Sequence, residues 1–273
     1  MQTGLIASAL GALVGLIIAL SGAGGGILAV PLLVFGLHLG VVQAAPVSLI
    51  AVGTASTLGA ILGFRERIVR YRAAMLIGGV GMLMAPLGLR LAHWLPNAPL
   101  TLAFSGVLAF VAVRMFTQSR RESIAAGSAP AAAPQCRMST IDGRLIWTRR
   151  CTLAMASTGA VSGLFSGLLG VGGGFVIVPS LTRFTDLPAR SIVATSMAVI
   201  AMVSVSGVSA AAAQGSIDWR IAVPFATGAI AALRAGRQVA ARVDGAVLQQ
   251  AFAITSGIVS VLMLTRGLAL ILA

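Results

Sequence analysis

The chain has 273 residues, of which 58% are hydrophobic and only 9% charged, with a mean hydropathy of +1.01. A soluble domain carries roughly a quarter charged residues, so a soluble fold is excluded, and the scarcity of aromatics and of alternating ten-residue segments excludes a membrane β-barrel. The formal charge of +13 comes from 19 arginines and no lysine; these lie between apolar segments, where they set membrane topology rather than bind nucleic acid.

Apolar segments follow one another at 3–21, 27–37, 46–64, 73–92 and 98–117. After a polar interval come 151–169, 175–182, 189–213, 221–241 and 246–265. Most approach the ~20 residues that cross a bilayer as a helix, which predicts an all-α integral membrane protein. The first twenty residues lack a basic leader and are read as part of the membrane domain. The interval 118–150 is rich in Ala, Pro, Ser and Arg and reads as a cytoplasmic linker between a first transmembrane repeat (1–117) and a second (151–273).

The two halves are copies at a constant offset of 148 positions. Twelve of the twenty-three pairs between 11–33 and 159–181 are identical without a gap, and the same offset aligns Ser48 with Ser196, Ser56 with Ser204 and Gly59 with Gly207. Such repeats characterise secondary transporters. If each half is a re-entrant or broken helix followed by three spans, the second half enters upside down. Sixteen arginines then face the cytoplasm and three face out. Eight simple spans in parallel halves give thirteen against six. The positive-inside rule therefore favours inverted repeats.

Each half carries a glycine knot, SGAGGGILAVP (21–31) and LGVGGGFVIVP (169–179). Residues 27–37 make only about 16 Å of helix at ~1.5 Å per residue, half of a ~30 Å hydrocarbon core. Unwound backbone at that depth is tolerated only inside protein or beside a wet cavity. Half-helices starting near Ile27 and Phe175 would present free N–H groups and positive dipole ends, a place for an anion. The alternative is that the glycines serve close helix packing, as Gly11, Gly15, Gly159 and Gly163 are expected to do. Pro31 and Pro179 fall near the start of the half-helices, where a missing N–H costs least.

The six acids, Glu66, Glu122, Asp142, Asp186, Asp218 and Asp244, all fall in loops or at segment ends. Cation pathways and proton relays need intramembrane acids, so the expected partner is a small anion. Ser48, Ser56, Thr54, Thr195, Ser196, Ser204 and Ser206 are the hydroxyls that could donate to it, unless they bond back to their own helices. His38 and His93 are read as interfacial. Cys136 and Cys151 show no metal-ligand spacing and are expected to be ordinary thiols in a reducing compartment. No metal, cofactor or catalytic group is expected.

The paired stretches GAGGGILAVPLLVFGL with AAPVSLIAVGTAS, and GVGGGFVIVPSL with ARSIVATSMAVIAMVSVSG, resemble the motifs of the TauE/SafE family of sulfite and organosulfonate exporters; GSIDWRIAVPFATGAI (215–230) resembles its second-half signature. The resemblance implies a secondary transporter of small sulfur oxyanions or sulfonates in the bacterial inner membrane. Carried over by position, the substrate-binding candidates are Gly22, Gly24, Gly25, Gly26, Pro31, Ser48, Gly170, Gly172, Gly173, Gly174, Pro179, Thr195 and Ser196. The first copy departs from the family pattern with PVS (46–48) where the second has ATS (194–196), and Arg234 stands where the first copy has Pro86. An anion channel, or a non-transporting anchor for a redox enzyme, stands as the alternative.

Overall fold

The computed structural model describes residues 2–124, 136, 147–240 and 245–272. Among the described residues ten α-helices follow in order: α1 (Gln2–Ser21), α2 (Ala29–Gly36), α3 (Val41–Arg65), α4 (Tyr71–Trp94), α5 (Asn97–Ile124), α6 (Arg149–Leu169), α7 (Gly174–Phe184), α8 (Ala189–Ala213), α9 (Trp219–Ala240) and α10 (Gly245–Leu272). A 3-10 segment, Gly22–Leu28, joins α1 to α2. Among the described residues there is no strand, only an isolated bridge between Cys136 and Thr185. The protein is an all-α integral membrane protein: α1, α3, α4, α5, α6, α8 and α10 each contain a stretch long and apolar enough to cross a bilayer. The interval 118–150, expected to be a linker, lies outside the described residues except for its edges and Cys136, as do Asp244 and Arg242.

Helix pairing follows the internal offset. The main partners are α1 with α9 and α4 with α6, which the offset of 148 exchanges, while α3 pairs with α8 and α5 with α10. Glycine makes the first two seams possible. Gly11 faces the Phe225 carbonyl, Gly15 faces Ala229 and Gly228 faces Ser8. In the matching seam Gly159 faces Ile77, Gly163 faces Gly81 and Gly167 faces Ala85. A Cβ at any of these positions would enter the neighbour's backbone, so this is the small-residue packing by which membrane helices approach without a hydrophobic driving force.

The loops gather at two ends. At one end, the turn after α3 meets the start of α8: Ser191 Oγ donates to the Ile68 carbonyl at 2.6 Å. The Cys136 N–H donates to the Phe184 carbonyl at 2.9 Å there too. Arg65, Arg67, Arg70, Arg72, Arg183 and Arg190 are all at this arginine-rich end, beside or within the α3–α4 and α7–α8 connections. At the other end lie the α2–α3 connection, where Gly40 abuts Asn97, and the 215–220 turn, which shares a cavity with Leu39 and His93. Arg266 of α10 reaches the same end, donating to the Val34 carbonyl at 2.8 Å and lying over Phe35. That guanidinium satisfies a carbonyl in the last turn of α2 and complements its negative pole.

Cys136 and Cys151 are joined as a disulfide, which corrects the expectation of two free thiols. The cause lies in the chain path: Thr148 caps α6, its hydroxyl accepting the Cys151 N–H at 3.2 Å, while the bridge to Thr185 holds Cys136 at the same place. Metal-ligand spacing, the only cysteine signal weighed from sequence, does not reveal such an approach.

Candidate substrate site at the two glycine knots

The knots share a sequence but not a conformation. In the second, Gly170, Gly172 and Gly173 take φ of 70°, 75° and 72°. Gly170 ends α6 in the left-handed cap geometry, with its N–H bonded to the Ser166 carbonyl at 2.8 Å. Gly173 is the N-cap of α7, with no side-chain cap. The amides of Gly174 and Phe175 thus open a helix with no carbonyl behind them, whereas Val176 and Ile177 both donate to the Gly173 carbonyl. An L side chain at Gly172 would be strained by its φ and would meet Ile200 Cγ2 at 2.8 Å.

The first knot is wound rather than open, against expectation. Gly22–Leu28 form a 3-10 helix with no residue in the left-handed region, and α2 starts at Ala29. Its N–H groups are largely spent on i→i+3 bonds. A 3-10 run of seven residues exceeds the usual three or four, and such stretches mark hinges. Glycine has no conformational preference strong enough to fix either state, which is why one sequence appears in two forms. Around Gly24 space remains: an added Cβ would find nothing nearer than Met115 Cε at 3.9 Å.

The two knots meet at α3. A Cβ at Gly26 would lie 2.8 Å from Val52 Cγ1 and 3.3 Å from the Val171 carbonyl oxygen; one at Gly172 would lie 3.1 Å from the same Val52 methyl. Gly170 presses on Ala45. Ala45, Ser48 and Val52 are spaced three and four apart, so all three share the face of α3 that the second knot covers. Ser48 and its repeat mate Ser196 are both fully buried, and neither hydroxyl has a hydrogen-bond partner. Ser166 and Ser204, and Ser256 on α10, are likewise buried and unpartnered. Leaving a buried donor unmade costs about 1–3 kcal/mol, so five such hydroxyls among the described residues are an expensive feature unless something visits them.

Most other hydroxyls do bond back to their own helices: Thr54 to the Ile50 and Ala51 carbonyls, Thr57 to Gly53, Thr158 to Ala154 and Ser162 to Gly159. Ser206 Oγ instead donates across to the Met82 carbonyl at 2.7 Å. Thr195 is also engaged elsewhere, its Oγ1 accepting the Arg70 N–H at 3.1 Å at the arginine-rich end. The two prolines differ. Pro31 is buried in the first turn of α2, whereas Pro179 is the sixth residue of α7, past the first turn, and lines an apolar cavity between α5, α6 and α7. Ser166 was not singled out in the sequence because its repeat mate is Ile18; its one signal is a hydroxyl one turn before the knot. The structure places Glu66, Asp186 and Asp218 at helix ends or in loops, and among the described residues no group of three or more His, Cys, Asp or Glu could hold a metal.

The fold is that of a multi-pass helical membrane protein whose two glycine knots pack on α3 beside buried, unpartnered hydroxyls. The sulfite exporter TauE/SafE family matches residues 7–263, and the chain belongs to that family. Among curated relatives it is similar to a "Probable membrane transporter protein" of Xylella fastidiosa strain Temecula1, 27% identical over 86% of this chain and 84% of that one. It is also similar to the "Probable membrane transporter protein YdhB" of Bacillus subtilis, 25% identical over 92% of this chain and 96% of the other. No solved structure matches.

Proposed function

We propose that this protein is a secondary transporter in the bacterial cell membrane that moves a small sulfur oxyanion, such as sulfite or an organosulfonate, outward by alternating access. The observation that carries the reading is the set of buried, unpartnered hydroxyls of Ser48, Ser166 and Ser196 on helices that lead into the second knot or follow the two half-helices. An oxyanion accepts from exactly such donors. The free amides of Gly174 and Phe175 add the positive end of a half-helix. The acids described lie at helix ends or in loops, which favours an anion over a cation as cargo.

Two inverted repeats fit the helix pairing. The connection after α2 lies at one end of the molecule and its repeat counterpart after α7 lies at the other. The positive-inside rule then puts the arginine-rich end in the cytoplasm, with residues 118–150 as the linker between repeats. Transport would consist of one knot rewinding as the other unwinds. The test is uptake of radiolabelled sulfite into proteoliposomes, with sulfate, thiosulfate and small sulfonates as competitors. Saturable uptake blocked by one of them supports a carrier; unitary currents would replace the carrier with a channel; no flux of any anion would bring forward the anchor reading.

A further inference from the structure

The internal offset identifies pairs of equivalent places at the two ends of the molecule, and one such pair differs in state. At the arginine-rich end, α8 is tied to the α3–α4 turn by two hydrogen bonds: Ser191 Oγ to the Ile68 carbonyl at 2.6 Å, and the Arg70 N–H to Thr195 Oγ1 at 3.1 Å. Ser191 and Thr195 are 3% and 0% exposed, and Val69 between the bonded residues is buried. Adding 148 or subtracting it maps Ser191 to Gln43, Thr195 to Val47, Ile68 to Ser216 and Arg70 to Asp218.

The turns themselves are the same in both places. Glu66, Arg67 and Ile68 donate to the carbonyls of Leu62, Phe64 and Gly63; Gln214, Gly215 and Ser216 donate to Ala210, Ala212 and Ala211, the equivalent residues. Arg67 and Gly215 both take a left-handed φ, 57° and 65°. The difference is in the seam. Where the arginine-rich end is latched, the opposite end opens into a cavity of about 670 Å³ lined by Gln43, Val47, His93, Ser216, Asp218 and Arg220. Gln43 is exposed there, while its counterpart Ser191 is buried.

We infer that these two seams are the gates of the transporter, with the Ile68–Arg70 turn latched shut on Ser191 and Thr195 and the 215–220 turn standing open as the substrate's vestibule. This rests on the transport reading and adds to it which residues open and close. Thr195 therefore acts at a gate rather than on the anion. Gate and vestibule exchange states in the cycle: the 215–220 turn closes on Gln43 and Val47 as the latch releases. The latch has two bonds where Val47 can offer none from its side chain, so the resting state favours the arginine-rich end closed.

The experiment reads accessibility, not flux. Single cysteines replace buried Val69 and, separately, exposed Gln43 in the full chain in membranes, and maleimide labelling rates are measured with the native disulfide oxidised. Ser191→Ala with Thr195→Val should raise labelling at Val69→Cys by about tenfold, the scale of two modest hydrogen bonds, and lower it at Gln43→Cys. Labelling that does not move in opposite directions at the two positions overturns the proposal. As a second measure, Gln43→Cys/Ser216→Cys should form a disulfide cross-link more readily when a small organosulfonate is present, a substrate that does not cleave disulfides as sulfite does. Failure to cross-link under conditions where uptake is running also overturns it. Absence of uptake by the native protein would sink the transport reading alone, since the accessibility shift is read without substrate.

Discussion

Replacing Ser48 or Ser196 by alanine separates a functional hydroxyl from a structural one. Each is fully buried without a partner, so each costs the substrate-free fold about 1–3 kcal/mol of unrecovered desolvation. Alanine removes that cost and only one small atom of packing. The substrate-free protein should therefore hold its thermal midpoint or gain a few degrees. The bound state responds in the opposite sense. A hydrogen bond to an ionised oxygen is worth about 1.5–3 kcal/mol, which converts to roughly a 10- to 150-fold loss in affinity. Purified protein in detergent is melted with and without sulfite: the ligand-induced shift, which follows RT ln(1 + [L]/Kd), should shrink in both variants while the baseline stays or rises. A fall in the baseline with an unchanged ligand shift would show that the hydroxyls are structural and refute the reasoning.

Gly172→Ala forces a Cβ into a left-handed residue against Ile200 and should destabilise by about 1–3 kcal/mol, whereas Gly24→Ala meets only Met115 at 3.9 Å and should leave the melting temperature nearly unchanged. Gly24→Leu and Gly172→Leu should both insert in the membrane and lose flux; normal flux in both would remove the knots from the site. Arg67→Gly relieves a left-handed arginine and should stabilise by about 1 kcal/mol, seen as a higher thermal midpoint. Cys136 and Cys151 are bonded at the arginine-rich end; cytoplasmic disulfides are transient, so gel-shift thiol labelling in intact cells should find a reduced fraction there, and complete oxidation would place that end outside.

Sequence periodicity located the helices well because membrane helices are defined by apolar length. The segments 189–213 and 151–169 match α8 and α6 to within two residues at each end. The packing role expected of the glycines at 11, 15, 159 and 163 was legible because small residues at that spacing mark a close helix seam, and these four do meet the backbones of α9 and α4. Less legible was anything that depends on which of two states a flexible element adopts. Identical GxGGG strings wind into a 3-10 helix in one half and into left-handed turns in the other, since glycine permits both. Ser48 and Ser196 stood out by their repeat positions, but Ser166 replaces an isoleucine and carries no such mark. Thr195 looked like Ser196's neighbour in one site, yet one residue turns a helix by about 100°, enough to direct it to Arg70 instead.

The central claim, a small anion carried by a site that faces one side at a time, is tested most directly by counterflow. Proteoliposomes loaded with unlabelled sulfite are diluted into trace radiolabelled sulfite, and internal label is followed over time. A carrier with this site predicts transient accumulation above equilibrium, abolished in Gly172→Leu. Label that never accumulates above the outside concentration, with protein correctly inserted and folded, would contradict it.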